Sequence, residues 1–192
     1  GPSHISIYGL SVEPGTVLSH NLRQGRWILP TDDETGNMYD LIMDRLVKGG
    51  YERYEISNFA KAGDKSRHNL VYWHYNPYLA FGAGATRFDG RTRENNPAYL
   101  AAYERGEAPE IECLSPAVQR EEMIFMNLRT VRGLSLLDYE ARFGRSFAFD
   151  YGPQIENLIH KGWAKWEDGH FCLTPLGMQY GNLAFEAFIT TD

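Results

Sequence analysis

Residues 31–57, TDDETGNMYDLIMDRLVKGGYERYEIS, decide the fold class. Thr31 and Glu34 form a capping-box pattern, in which the threonine hydroxyl takes the amide of the third helical residue and the glutamate reaches back to the cap. The helix so opened carries Met38, Leu41, Ile42 and Leu46 on one stripe, and it stops at Gly49-Gly50. Residues 51–57 then read as a strand. Upstream, HISIYGL (4–10) alternates with apolar Ile5, Ile7 and Leu10 and reads as a buried strand, broken at Glu13-Pro14-Gly15-Thr16. Strand, helix and strand in this order predict a βαβ unit, hence a parallel sheet with a right-handed crossover.

Downstream, residues 58–78 are polar and aromatic without a clean period. LAFGAGA (79–85) reads as a strand running into a glycine-rich bend, and Asn96-Pro97 opens a short helix that ends at Gly106. EAPEIECLS (107–115) has a proline and no helical period, and is expected to be a linker. Beyond it the pattern changes. Ser115-Pro116 caps a helix to about Arg129, Ser135 with Asp138 caps a second, and a third runs over about 151–161 before Gly162. Residues 163–167 and 170–174 alternate around Asp168-Gly169, a two-residue hairpin signal, and Thr174-Pro175 caps a last helix. Three helices, a hairpin and a closing helix predict a winged-helix arrangement.

The 192 residues suffice for one large domain or two small ones, and folding at that size buries about 70% of the unfolded surface. Hydrophobic content of 43% with 14% aromatic excludes a disordered chain, and no apolar run approaches the ~18 residues of a membrane span. The net charge of -6 argues against a large nucleic-acid footprint. Residues 115–192 hold seven Lys or Arg against ten Asp or Glu, so the winged helix lacks the charge that neutralises phosphates. Cys113 and Cys172 are the two cysteines, too few for a four-thiolate metal site or a disulfide framework, and they suggest a reducing, cytoplasmic home. Gly1-Pro2-Ser3 reads as a protease-cleavage scar, and an excised piece of a longer protein is expected.

Two stretches could carry chemistry. RHNLVYWHYNPY (67–78) packs two His, two Asn, an Arg, a Trp and three Tyr into one segment. Neutral imidazole ligates metals and haem iron, and flat aromatic rings pack against a flat macrocycle. The alternative is an aromatic cluster stapling a loop to a sheet, with His68 hydrogen-bonded inside it. Gly82-Ala83-Gly84-Ala85 would let backbone approach a ligand at a strand end, or would simply make a tight bend; Arg87 breaks the dinucleotide-binding spacing.

HISIYGLSVEPGT (4–16), YERYEISNFA (51–60), RHNLVYW (67–73) and FGAGA (81–85), in this order, resemble the C-terminal half of the radical S-adenosylmethionine proteins related to oxygen-independent coproporphyrinogen III oxidase. The HNxxYW string, His68, Asn69, Tyr72 and Trp73, is similar to the mark of that family's haem-chaperone branch. RTVRGLSL (129–136) and LTPLGMQYGN (173–182) resemble its C-terminal helical domain. The resemblance implies an α/β fold: residues 4–112 as the C-terminal part of a partial (β/α) barrel, and residues 113–192 as a small winged-helix-like α+β domain. It implies haem binding and delivery to recipient haem proteins, with His68 as axial ligand to the iron, Asn69 orienting the ring or a propionate, and Tyr72 and Trp73 supplying packing surface. Backbone near Gly9 and Thr86 would approach S-adenosylmethionine. The [4Fe-4S] motif CxxxCxxC is expected upstream, so residues 1–192 alone should cleave no S-adenosylmethionine. The competing readings are the oxidase itself, decarboxylating coproporphyrinogen III, and a purely structural interaction module. Neither nucleic acid nor a membrane span is expected, and an unpaired edge on the 4–10 strand predicts a homodimer.

Overall fold

The computed structural model describes residues 1–189. They form two compact units, Gly1–Lys65 and Ser66 onward. The α/β class expected from the sequence is what the chain adopts, as small sheets combined with helices.

The first unit contains β1 (His4–Ser6), α1 (Val17–Arg23), α2 (Asp32–Lys48), β2 (Glu52–Arg53) and β3 (Asn58–Ala60). Helix α2 begins as read. The Thr31 side chain accepts from the Glu34 amide, Glu34 accepts from the Thr31 amide at 2.8 Å, and Gly49 caps the far end. The parallel βαβ pairing is not formed. The expected strand at 51–57 is instead the first arm of a hairpin that turns over residues 54–57, and the sheet order is β1-β3-β2 with both pairings antiparallel. Arg53 stabilises the turn by donating to the carbonyls of Glu55 and Ile56. The hairpin's second arm therefore fills the slot between β1 and β2 that a parallel neighbour would have taken. Phe59 and Ala60 on that arm are fully buried.

The second unit opens with α3 (Arg67–Trp73) and a three-stranded antiparallel sheet of β4 (Thr86–Phe88), β5 (Thr92–Asn95) and, after α4 (Leu100–Glu104), β6 (Glu110–Cys113). Two expectations change here. Residues 79–85 form no strand: Gly82 and Gly84 adopt φ of +103° and +70°, and Leu79 and Phe81 stay exposed. The expected linker at 107–115 contributes β6, whose residues pair along the length of β5. The boundary read at 112/113 falls within β6, three residues before the next helix.

That helix is α5 (Pro116–Leu128), followed by β7 (Leu134–Ser135), α6 (Leu136–Phe143), α7 (Phe147–His160), β8 (Ala164–Glu167), β9 (His170–Leu173), α8 (Pro175–Gln179) and α9 (Gly181–Glu186). The caps at Ser115, Ser135 and Thr174 form as read. Helix α7 starts earlier than expected, because Ser146 caps it, and it kinks at Tyr151 just before Pro153. Asp168 and Gly169, at φ +45° and +74°, make the two-residue turn of the β8–β9 hairpin, and β7 adds to the other side of β9.

Phe147 is the hub of this core. Its ring lies 5.3–5.7 Å from those of Tyr139, Tyr151, Phe171 and Phe188, in tilted or edge-on geometry that suits aromatic quadrupoles. Gly133 is required where β7 reaches β9. Its φ is +75°, and a Cβ there would overlap the Phe171 carbonyl oxygen.

Candidate functional site

Helix α3 gathers the four residues singled out in the HNxxYW string. A seven-residue helix is too short to persist by itself in water, so its ends and its packing must hold it. At the N-terminus the Ser66 side chain accepts from the Asn69 amide at 3.2 Å. At the C-terminus the Asn76 amide returns to the Val71 carbonyl and the Tyr75 amide to the Tyr72 carbonyl. This places Tyr75 in the left-handed region at φ +55°, where glycine is the usual residue. The surroundings over-determine it. Tyr75 is buried, its hydroxyl donates to Glu122 Oε2 at 2.9 Å, and the Arg142 guanidinium lies 4.7 Å from its ring centroid. Burial first, and then the Glu122 charge, push the Tyr75 phenol far above its ordinary pKa.

Around the helix the four residues take different positions. His68 and Tyr72 stand one turn apart. The rings meet edge-on at 5.0 Å, with 3.2 Å between the Tyr72 hydroxyl and His68 Nε2. His68 is exposed, whereas Asn69, Tyr72 and Trp73 are half-buried. Trp73 turns to α5, where the Arg129 guanidinium stacks 4.6 Å from its ring; among the described residues the buried Trp73 Nε1 has no hydrogen-bond partner. Tyr72 rests on Tyr78 at 4.6 Å, and Tyr78 is pinned by reciprocal backbone hydrogen bonds to Phe88. The result is a solvent-facing imidazole on an aromatic base. An exposed imidazole nitrogen beside flat rings is the type of donor that a flat iron macrocycle takes.

The two residues read as nearest S-adenosylmethionine belong to other segments of the chain. Gly9 belongs to the first unit, in irregular backbone after β1. Thr86 opens β4 in the second unit, where its hydroxyl donates to Asn95 Oδ1 at 2.6 Å.

Sequence reasoning passed over His74, which caps α3. It lines two adjoining clefts of about 510 and 480 Å³ that share His74, Asn127 and Asp138. Arg142 lies in the first, and Arg132 and His170 in the second. Desolvation, reinforced by the Arg132 charge and opposed by Asp138, holds the His74 imidazole below its ordinary pKa. The signal available in the sequence was its membership of the same aromatic stretch; the partners that make the clefts come from α5, α6 and the β8–β9 turn. Among the described residues no cluster of three or more His, Cys, Asp or Glu could hold a bare metal ion, and no helix is long and apolar enough to cross a membrane.

The family profile of the HemN C-terminal domain matches residues 114–180. The chain is 36% identical to the haem chaperone HemW of Lactococcus lactis, over 98% of its own length and 51% of that protein. To the haem chaperone HemW of Bacillus subtilis it is 35% identical, over 97% of its length and 51% of the relative. Its fold matches coproporphyrinogen III oxidase (HemN) from Escherichia coli, a radical SAM enzyme, with a TM-score of 0.72, covering 99% of this chain and 48% of that one at 16% identity. Residues 114–180 thus match the HemN C-terminal domain, and over almost its whole length the chain is similar to haem chaperones of the HemW type. It spans about half the length of the curated relatives it matches.

Proposed function

We propose that this chain is the haem-holding half of a haem chaperone, which carries haem and passes it to recipient haem proteins in the cytoplasm. The observation that carries the reading is the exposed His68 imidazole on the Tyr72–Tyr78 base. A carrier must both accept and surrender its cargo, and a ligand on an open face can be reached by a recipient without unfolding the holder. His68 would bind the iron, Tyr72 and Trp73 would supply aromatic surface, and Asn69 would orient the macrocycle or a propionate. Trp73 has a second duty, since its packing against Arg129 fixes α3 on α5. Residues 113–192 serve as the packing module and residues 4–112 as the barrel-derived part. In the whole protein, backbone near Gly9 and backbone near Thr86 would approach S-adenosylmethionine, and an upstream CxxxCxxC would hold the [4Fe-4S] cluster. Exposed Cys113 and buried Cys172 are too few to ligate such a cluster. The likeness to the oxidase is one of fold, and coproporphyrinogen decarboxylation gains no support from the His68 geometry.

Hemin titration tests the reading. The wild-type chain should give a saturable Soret change. His68→Ala should weaken binding by about tenfold or more, the loss of ~1.4 kcal/mol or greater of ligation. His160→Ala, at the end of α7, should leave it unchanged. Equal spectra for the two variants would remove His68 as the ligand.

A further inference from the structure

The nitrogen that would ligate iron is already engaged. Tyr72 Oη lies 3.2 Å from His68 Nε2, one helical turn away, with the rings edge-on at 84°. Tyr72 cannot simply swing aside, because its ring rests edge-on against Tyr78 at 4.6 Å. Tyr78 is in turn held to β4 by paired backbone hydrogen bonds with Phe88 of 2.8 and 3.0 Å. The hydroxyl is therefore a fixed partner presented to a solvent-facing imidazole.

We propose that Tyr72 is a built-in competitor for the iron, lowering the affinity of His68 for haem and promoting its release. The proposal rests on the haem reading of His68. In the empty chain the Tyr72 O–H donates to the Nε2 lone pair, and the ring proton resides on Nδ1. Were Nε2 to carry the proton and donate to the hydroxyl oxygen, the nitrogen would be equally closed to a metal. A haem iron held by His68 would take the Nε2 lone pair that now accepts from the Tyr72 hydroxyl, so that the hydrogen bond and the ligation would exclude one another. No electron is transferred, and the phenol keeps its proton throughout. The tyrosine at this position thus has a role that a phenylalanine of the same packing could not fill.

The test uses the full chain, hemin and the variant Tyr72→Phe, which keeps the ring on Tyr78. Removing one exposed hydrogen bond should tighten hemin binding by about threefold to tenfold and slow transfer to a haem-free acceptor globin by a similar factor. In the haem-free chain, nitrogen NMR should show His68 biased to the Nδ1-protonated form, with the bias lost in Tyr72→Phe. Tyr99→Phe, at the exposed cap of α4, is the polarity control and should leave affinity unchanged. Unchanged or weaker hemin binding by Tyr72→Phe, with His68→Ala still defective, would overturn the competitor and leave the haem reading standing. Equal tightening by Tyr99→Phe would also overturn it. Loss of any His68→Ala effect would remove the haem reading and the competitor together.

Discussion

The Tyr75 hydroxyl donates to Glu122 Oε2 at 2.9 Å, tying the residue that ends α3 to α5 across forty-seven positions of sequence. Glu122 also pairs with Arg93 at 2.5 Å, and Arg93 reaches Glu112 on β6. One carboxylate thus links the candidate ligand helix, the β4–β5–β6 sheet and the first helix of the winged-helix module. Tyr75→Phe leaves Glu122 its arginine and should cost about 1 kcal/mol. Tyr75→Gly relieves the left-handed φ but empties a buried aromatic site, for which large-to-small changes cost about 3–5 kcal/mol. Urea unfolding should rank wild type above Tyr75→Phe and that above Tyr75→Gly; a glycine variant as stable as the phenylalanine one would show that backbone strain outweighs the packing.

The alkaline limit of stability should follow two buried phenols. Tyr75 and Tyr139 are both pushed above their ordinary value, first by burial and then by the carboxylates they donate to, Glu122 and Asp150. A folded pKa raised above the unfolded value of about 10 contributes stability that is whole below pH 10 and lost as pH rises beyond it. Tyr139→Phe should flatten that decline in melting temperature between pH 9 and 11, two conditions chosen to bracket the ~10 of a free phenol. A decline as steep in the variant as in wild type would assign it to other groups.

On the acid side His74 acts with the opposite sign. Its folded pKa is depressed, so the unfolded chain binds the proton more readily. The contribution is whole above the unfolded value of about 6.5 and is lost as pH falls through it. His74→Gln should make stability less dependent on pH between about 7 and 5. Arg132→Gln, by removing the cation that reinforces the depression, should shift the dependence to the same side and by less. A steeper acid dependence in His74→Gln is the result that would count against this assignment.

Gly133→Ala probes the one turn where β7 meets β9. The substitution demands a positive φ from alanine and pushes its Cβ onto the Phe171 carbonyl, so it should destabilise by more than about 2 kcal/mol. Calorimetry should show a melting temperature lowered by several degrees, whereas Gly106→Ala, equally positive in φ but with open space around it, should lose less.

Self-association through the first unit is expected. Among the described residues β1 pairs with β3 along one edge, leaving the other free, and Leu10, Leu41 and Val47 are exposed in the same unit. Sedimentation over a wide concentration range should reveal a dimer that weakens when residues 1–10 are deleted. A species holding at one chain's mass to high concentration would exclude it.

The sequence determined the features that depend on neighbours a few residues apart. The Thr31 capping box, the Gly49-Gly50 stop, the caps at Ser115, Ser135 and Thr174, and the Asp168-Gly169 hairpin formed as read, because each is set by a local hydrogen bond or by φ tolerance. Tertiary structure decided the rest. Whether residues 51–57 paired in parallel or folded back depended on which strand could fill the slot beside β1, and the answer was β3, the adjoining arm. RHNLVYW gave no helical period and contains β-branched and aromatic residues of modest helix propensity. It is helical because Trp73 finds Arg129 and the turn at Tyr75 finds Glu122 and Arg142, partners supplied by distant elements. His74 became a cleft residue for the same reason. A short helix has too few internal hydrogen bonds to offset its own ordering entropy, so long-range packing determines both that it forms and which way its side chains face.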